Sequence, residues 1–107
     1  MTGRPAKPSR LREAALLDID EALDHYFSEA PHMLTLFESA ILVARRHIEY
    51  FPGTGSKRYQ SSDGEVGLRF WTLNKFPYAI FYFERPSYID IIRVLHQASN
   101  IPVRLEP

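Results

Sequence analysis

The last third of the chain, Gly67 to Pro102 (GLRFWTLNKFPYAIFYFERPSYIDIIRVLHQASNIP), restricts the fold more than any other stretch. Three runs of apolar, aromatic and β-branched residues are separated by Asn74-Lys75-Phe76-Pro77 and by Glu84-Arg85-Pro86-Ser87, both built from turn formers. The pattern predicts three consecutive antiparallel strands, a β-meander. Val66 to Leu73 alternates, with Val66, Leu68 and Phe70 on one face and Arg69, Trp71 and Leu73 on the other. Tyr78 to Phe83 is apolar or aromatic throughout. Ile89 to His96 is apolar on both sides, with Ile89, Ile91 and Leu95 assigned to one face and Ile92 and Val94 to the other. Inner strands of that kind need a cover on each face.

The segments before the meander supply one cover. Ala15, Ile19, Ala22, Leu23 and Tyr26 recur at spacings of three and four, which predicts a helix from Glu13 with Asp18, Glu21 and Asp24 turned to solvent. Glu29-Ala30-Pro31 ends it, and Pro31 suits the first turn of a second helix. That helix carries the stripe Phe37, Ala40, Ile41, Ala44, Ile48 and Phe51 and stops at Pro52-Gly53. The short connection makes the two an antiparallel α-hairpin. Ser9 to Arg12 reads as a short edge strand, and Ala98 to Pro107, with two prolines, as too broken for a helix. An α-hairpin on one face leaves the other apolar. Such a face points to a partner surface or a dimer contact. The alternative is that loop 54–65 and the tails fold over it.

Composition narrows the class. A chain of 107 residues makes one domain, here 10–107 after a flexible basic tail at 1–9. Met1 to Pro8 has charge but no apolar run, so a secretory signal is not expected, nor is a membrane span. With no cysteine, disulfides and thiolate metal sites are excluded. His25, His32, His47 and His96 lack ligand spacing, and no metal or cofactor is expected. Gly53-Thr54-Gly55-Ser56-Lys57 lacks the spacing of a phosphate loop and follows a helix. The 13 basic and 13 acidic residues cancel but are segregated: residues 13–30 hold six acids and no Lys or Arg. A neutral chain is not built to grip phosphate backbones along its whole surface.

Several local stretches carry a resemblance. Asp18-Ile-Asp-Glu-Ala-Leu-Asp-His-Tyr, Phe51-Pro-Gly-Thr-Gly, Leu68-Arg69, Phe76-Pro-Tyr-Ala-Ile-Phe-Tyr, Arg93-Val-Leu-His and Asn100-Ile-Pro follow one another as in the RelE/ParE superfamily of toxins from type II toxin–antitoxin modules. The match spans about residues 10 to 105 and is closest to the ParE branch, the plasmid stabilisation proteins. The resemblance implies an α+β fold: a short N-terminal strand and an antiparallel α-hairpin packed on a three-stranded antiparallel meander. It also implies a cytoplasmic growth inhibitor, neutralised by a ParD-like antitoxin laid across its sheet and helices. ParE-like members are similar to inhibitors of DNA gyrase; RelE-like members cut messenger RNA on the ribosome. Cleavage needs a base, cations and an acid, for which Arg69, Arg93 and His96 are candidates, with Tyr82 as a further hydroxyl. Each has a plainer role in ion pairing or docking, and Arg93 and His96 differ in strand parity. Gln97-Ala98-Ser99-Asn100 also lacks the basic and tyrosine residues of many ribosome-dependent members. The expectation is therefore a ParE-like gyrase inhibitor, not itself a catalyst. Arg69, Trp71, Tyr82, Arg93 and His96 are its contacts to antitoxin or target, with no sequence-specific nucleic acid binding.

Overall fold

Residues 5–106 are described by a computed structural model. Strand β1 (Ser9–Leu11) leads into helix α1 (Glu13–Glu29); a single 3-10 turn (Pro31–Met33) then opens helix α2 (Leu34–Tyr50). A second such turn (Pro52–Thr54) and a long loop reach the meander β2 (Arg69–Thr72), β3 (Tyr78–Glu84) and β4 (Ile89–His96), and a one-turn helix α3 (Ile101–Arg104) follows. The four strands form one sheet in the order β1-β4-β3-β2, with β1 parallel to β4 and the meander antiparallel. The expected strand, α-hairpin and meander are all present.

The first four residues of the expected flexible tail lie outside the described residues. Beyond them, Lys7 N–H donates to Glu49 O at 3.1 Å and Ile89 N–H to Pro8 O at 2.9 Å. Those two bonds lead the chain into β1.

The hairpin covers one sheet face. Phe37, Ile41, Ala44 and Ile48 from α2, with Ala15 and Ala22 from α1, are buried against Leu73, Ile80, Tyr82, Ile89, Ile91 and Val94. The alanines let the helices approach the sheet closely. Phe51, expected on this stripe, lies past the end of α2 and is 58% exposed.

A β-bulge corrects the expected faces of β4. Tyr82 pairs with Ile91 and Phe81 with Arg93, so Ile92 is the extra residue. An extra residue reverses the alternation beyond it. Val94 therefore joins Ile89 and Ile91 under the helices, and Leu95 joins Ile92 on the second face.

The second face is not left for a partner. Leu68, Ala79, Phe81, Phe83 and Leu95 are covered by Tyr59 of the loop and by Ile101 and Leu105 of the tail. Phe81 is 1% and Phe83 3% exposed. The tail expected to be irregular supplies this cover as a helical turn. Pro102 sits in that turn's first positions, where a missing N–H costs nothing.

Candidate functional site

With both sheet faces covered, most of the large apolar side chains still exposed among the described residues lie on the hairpin, Val66 of the loop and Val103 of α3 aside. Leu16, Leu17 and Phe27 of α1, with Leu36, Leu42 and Val43 of α2, are exposed, and Tyr50 and Phe51 extend the set at the end of α2. The core-facing stripes are narrow and include small residues, so the larger side chains beside them stay outside. Between the helices a groove of about 270 Å³ is lined by Leu16, Ile19, Leu23, Ile41 and Leu42, with Glu38 and Arg45 at its margin. An apolar trough with charged edges suits the apolar stripe of an amphipathic segment.

The five residues singled out from the sequence are dispersed. Arg69 and Tyr82 are cross-strand partners, and both hold the turn after α2. The Arg69 guanidinium donates to Gly55 O at 2.9 Å, and the Tyr82 hydroxyl donates to Pro52 O at 2.6 Å. Tyr82 is fully buried, and that burial pushes its phenol up to about 12. Its hydroxyl is out of reach of any external substrate. Trp71 stacks on His47, their ring centroids 3.8 Å apart and their planes 14° from parallel.

Arg93 and His96 lie at the other end of the sheet, on opposite sides of β4, as their parity implies. Arg93 grips Asp18 with two bonds of 2.7 Å. That hydrogen-bonded pair raises the Arg93 pKa above its ordinary value. Asp18, expected at the solvent, is only 7% exposed and also accepts Val94 N–H at 2.9 Å. The cause is the length of β1: it stops at Leu11, and Asp18 takes over the edge of β4 that β1 leaves unpaired. A sequence signal for this existed, because Asp18 falls between Ala15 and Ala22 on the buried stripe itself.

His96 Nδ1 accepts Ala98 N–H at 3.0 Å, so in the neutral ring Nε2 carries the proton. In that state the imidazole offers a donor, not a base. Its ring meets Tyr78 edge-on, and both line a hollow of about 250 Å³ with Glu21, His25, Ser99 and Arg104. His25 and Tyr78 escaped the sequence reading because nothing in their spacing links an α1 residue to the start of β3. Among the described residues no group of His, Asp and Glu is arranged to hold a metal ion.

No family model matches the chain, and no curated protein matches it. A solved structure does: a chain described as "Chromosomal ParDE TA system from P. aeruginosa" superposes with a TM-score of 0.68. It shares 18% sequence identity, and the alignment covers 87% of this chain and 98% of that one. A likeness at that identity is one of fold, and by it the chain has the ParE-like α+β fold that its sequence resemblance implied.

Proposed function

We propose that the chain is the toxin of a bacterial type II toxin–antitoxin module, a ParE-like protein that inhibits DNA gyrase when free and is silenced by a ParD-like antitoxin. The observation that carries the antitoxin half of this reading is the exposed apolar groove between α1 and α2 on a ParE-like fold. An amphipathic antitoxin segment would bury Leu16, Leu23 and Leu42 in the way the apolar face of a helix is laid into a groove. A gyrase target would place the protein in the cytoplasm, and among the described residues no helix is long and apolar enough to cross a membrane.

Action by binding, not bond cleavage, is supported by the state of the candidate residues. Arg69 and Arg93 are hydrogen-bonded within the chain, Tyr82 is buried, and His96 Nδ1 is occupied by a backbone donor. The test is a gyrase supercoiling assay with the purified protein, with and without the product of the neighbouring antitoxin gene. Inhibition that the antitoxin reverses is expected. Undisturbed supercoiling at excess folded protein would overturn the gyrase reading.

One observation favours a second reading, a RelE-like ribosome-dependent endoribonuclease. His25, His96, Tyr78 and Arg104 line a single hollow, and residues of these types are the ones RNA cleavage employs. That reading requires codon-biased mRNA cuts during translation that disappear in His25→Ala and His96→Ala.

A further inference from the structure

The far flank of α2, away from the α1–α2 groove, carries a feature of another kind. At the end of α2 four rings adjoin in series. Trp71 stacks on His47, His47 meets Phe51 at 5.5 Å, and Phe51 meets Tyr50 at 6.4 Å, all between centroids. The Arg46 guanidinium lies 5.4 Å from the centre of the Tyr50 ring. The series is held in place from below. Thr54 Oγ1 gives its proton to Phe51 O at 2.8 Å, so at 2.8 Å from His47 Nε2 it must accept the imidazole N–H. Tyr50 is 43% and Phe51 58% exposed, which leaves ring surface for a ligand.

The stretches of chain that carry and follow this row hold cations and no acids. From Tyr50 to Ser62 and from Val66 to Phe83 there is no acidic residue, while these stretches hold Lys57, Arg58, Arg69 and Lys75. The nearest acid on α2, Glu49, is turned to β1, where it accepts both Ser9 N–H at 3.1 Å and Ser9 Oγ–H at 2.6 Å. Beside the rings, between α2 and the outer edge of β2, is an open hollow of about 400 Å³ lined by Val43, His47, Trp71, Thr72, Asn74 and Lys75. Six of the 13 acids lie on α1, across the groove at the opposite flank of α2.

Exposed aromatic faces interleaved with cations and free of carboxylates fit one class of partner. Unpaired nucleobases stack on aromatic rings whatever their identity, and their phosphates meet the cations. A duplex keeps its bases stacked on one another and has no ring faces to offer. We propose that the Trp71–His47–Phe51–Tyr50 row, with Arg46 and Lys75, is a binding surface for single-stranded nucleic acid that does not discriminate sequence. The surface is separate from the α1–α2 groove, so it stands or falls apart from the antitoxin reading.

The test is fluorescence anisotropy of the full chain with labelled oligo(dT), oligo(dA) and the duplex formed from the two. Both single strands bind at low salt, and the duplex binds more weakly. Tyr50→Ala and Phe51→Ala each weaken single-strand binding about fivefold or more, as loss of one stacking ring should, while Tyr50→Phe retains it. Lys75→Ala flattens the dependence of affinity on salt. Both rings are exposed, so thermal melting of each variant should match the parent. Three results would overturn the proposal: no single-strand binding at low salt, a duplex bound as tightly as the strands, or unchanged affinity in the folded Tyr50→Ala/Phe51→Ala double variant.

Discussion

Tyr82 and Gly55 fit one another closely enough to make both positions sensitive. A Cβ on Gly55 would overlap the Tyr82 hydroxyl and lie 3.0 Å from both Arg69 Cβ and Phe70 O. Gly55→Ala should therefore cost about 2 kcal/mol or more, read from the urea midpoint, by forcing the turn off the sheet. Tyr82→Phe keeps the ring but strands Pro52 O without its donor, a loss of about 1–2 kcal/mol. The same variant changes behaviour in base. The folded-state phenol is pushed up from 10.0 to about 12, so its contribution is whole below pH 10 and is lost as pH rises through 12. Stability of the parent should fall more steeply over that window than that of Tyr82→Phe. Asp18→Asn is predicted to cost about 3 kcal/mol, since it leaves the Arg93 guanidinium without its anion. The two positions differ in how far the sequence disclosed them. Asp18 stood out as an acid on an apolar stripe, whereas Tyr82 looked like any other member of an aromatic run. A hydroxyl's partner depends on where a distant turn comes to rest.

Among the elements, both helices and all three meander strands were readable because each repeats with its own period over several residues. The bulge at Ile92 was not. Ile91 before it is equally apolar, and the odd spacing of Asp90 and Arg93 around that pair is a faint mark in a strand that reads as apolar on both faces. The cover over the second face was also hidden, because it consists of single anchors, Tyr59, Ile101 and Leu105, spread through polar segments. Counting covers against faces predicted an unpartnered apolar surface, and one exists, but on the helices. Leu42 is 60% exposed at the groove between them. If the groove takes an antitoxin as proposed, Leu42→Glu should lower antitoxin affinity about tenfold or more in a titration calorimetry experiment while leaving the melting temperature unchanged. A charge is costly only where a partner would bury it.

Across the whole molecule, ion pairs bind the start of the chain to the end of the sheet. Burial pushes the Asp90 carboxyl up, but hydrogen bonds and charge from Arg12 and Arg85 outweigh it and hold it below the usual range. The folded state thus favours the ionised form, whose contribution is whole above about pH 4 and is lost as pH falls through the lower folded value. The urea midpoint of the parent should drop more sharply below about pH 4 than that of Asp90→Asn. Arg85 also pairs with Glu65, which fastens the long loop to the same cluster. Lys7 reaches Glu84, Ile89 N–H reaches Pro8, Arg12 reaches Asp90, and Asp18 reaches Arg93. These links join residues 7–18 to residues 84–93, at least 75 positions further along the chain. On the ribosome, β1 and the Asp18 carboxylate have nothing to hold until β4 has left the exit tunnel. A nascent chain therefore carries α1 and α2 without the sheet they pack on, and the groove between them takes its final shape only once β4 has emerged.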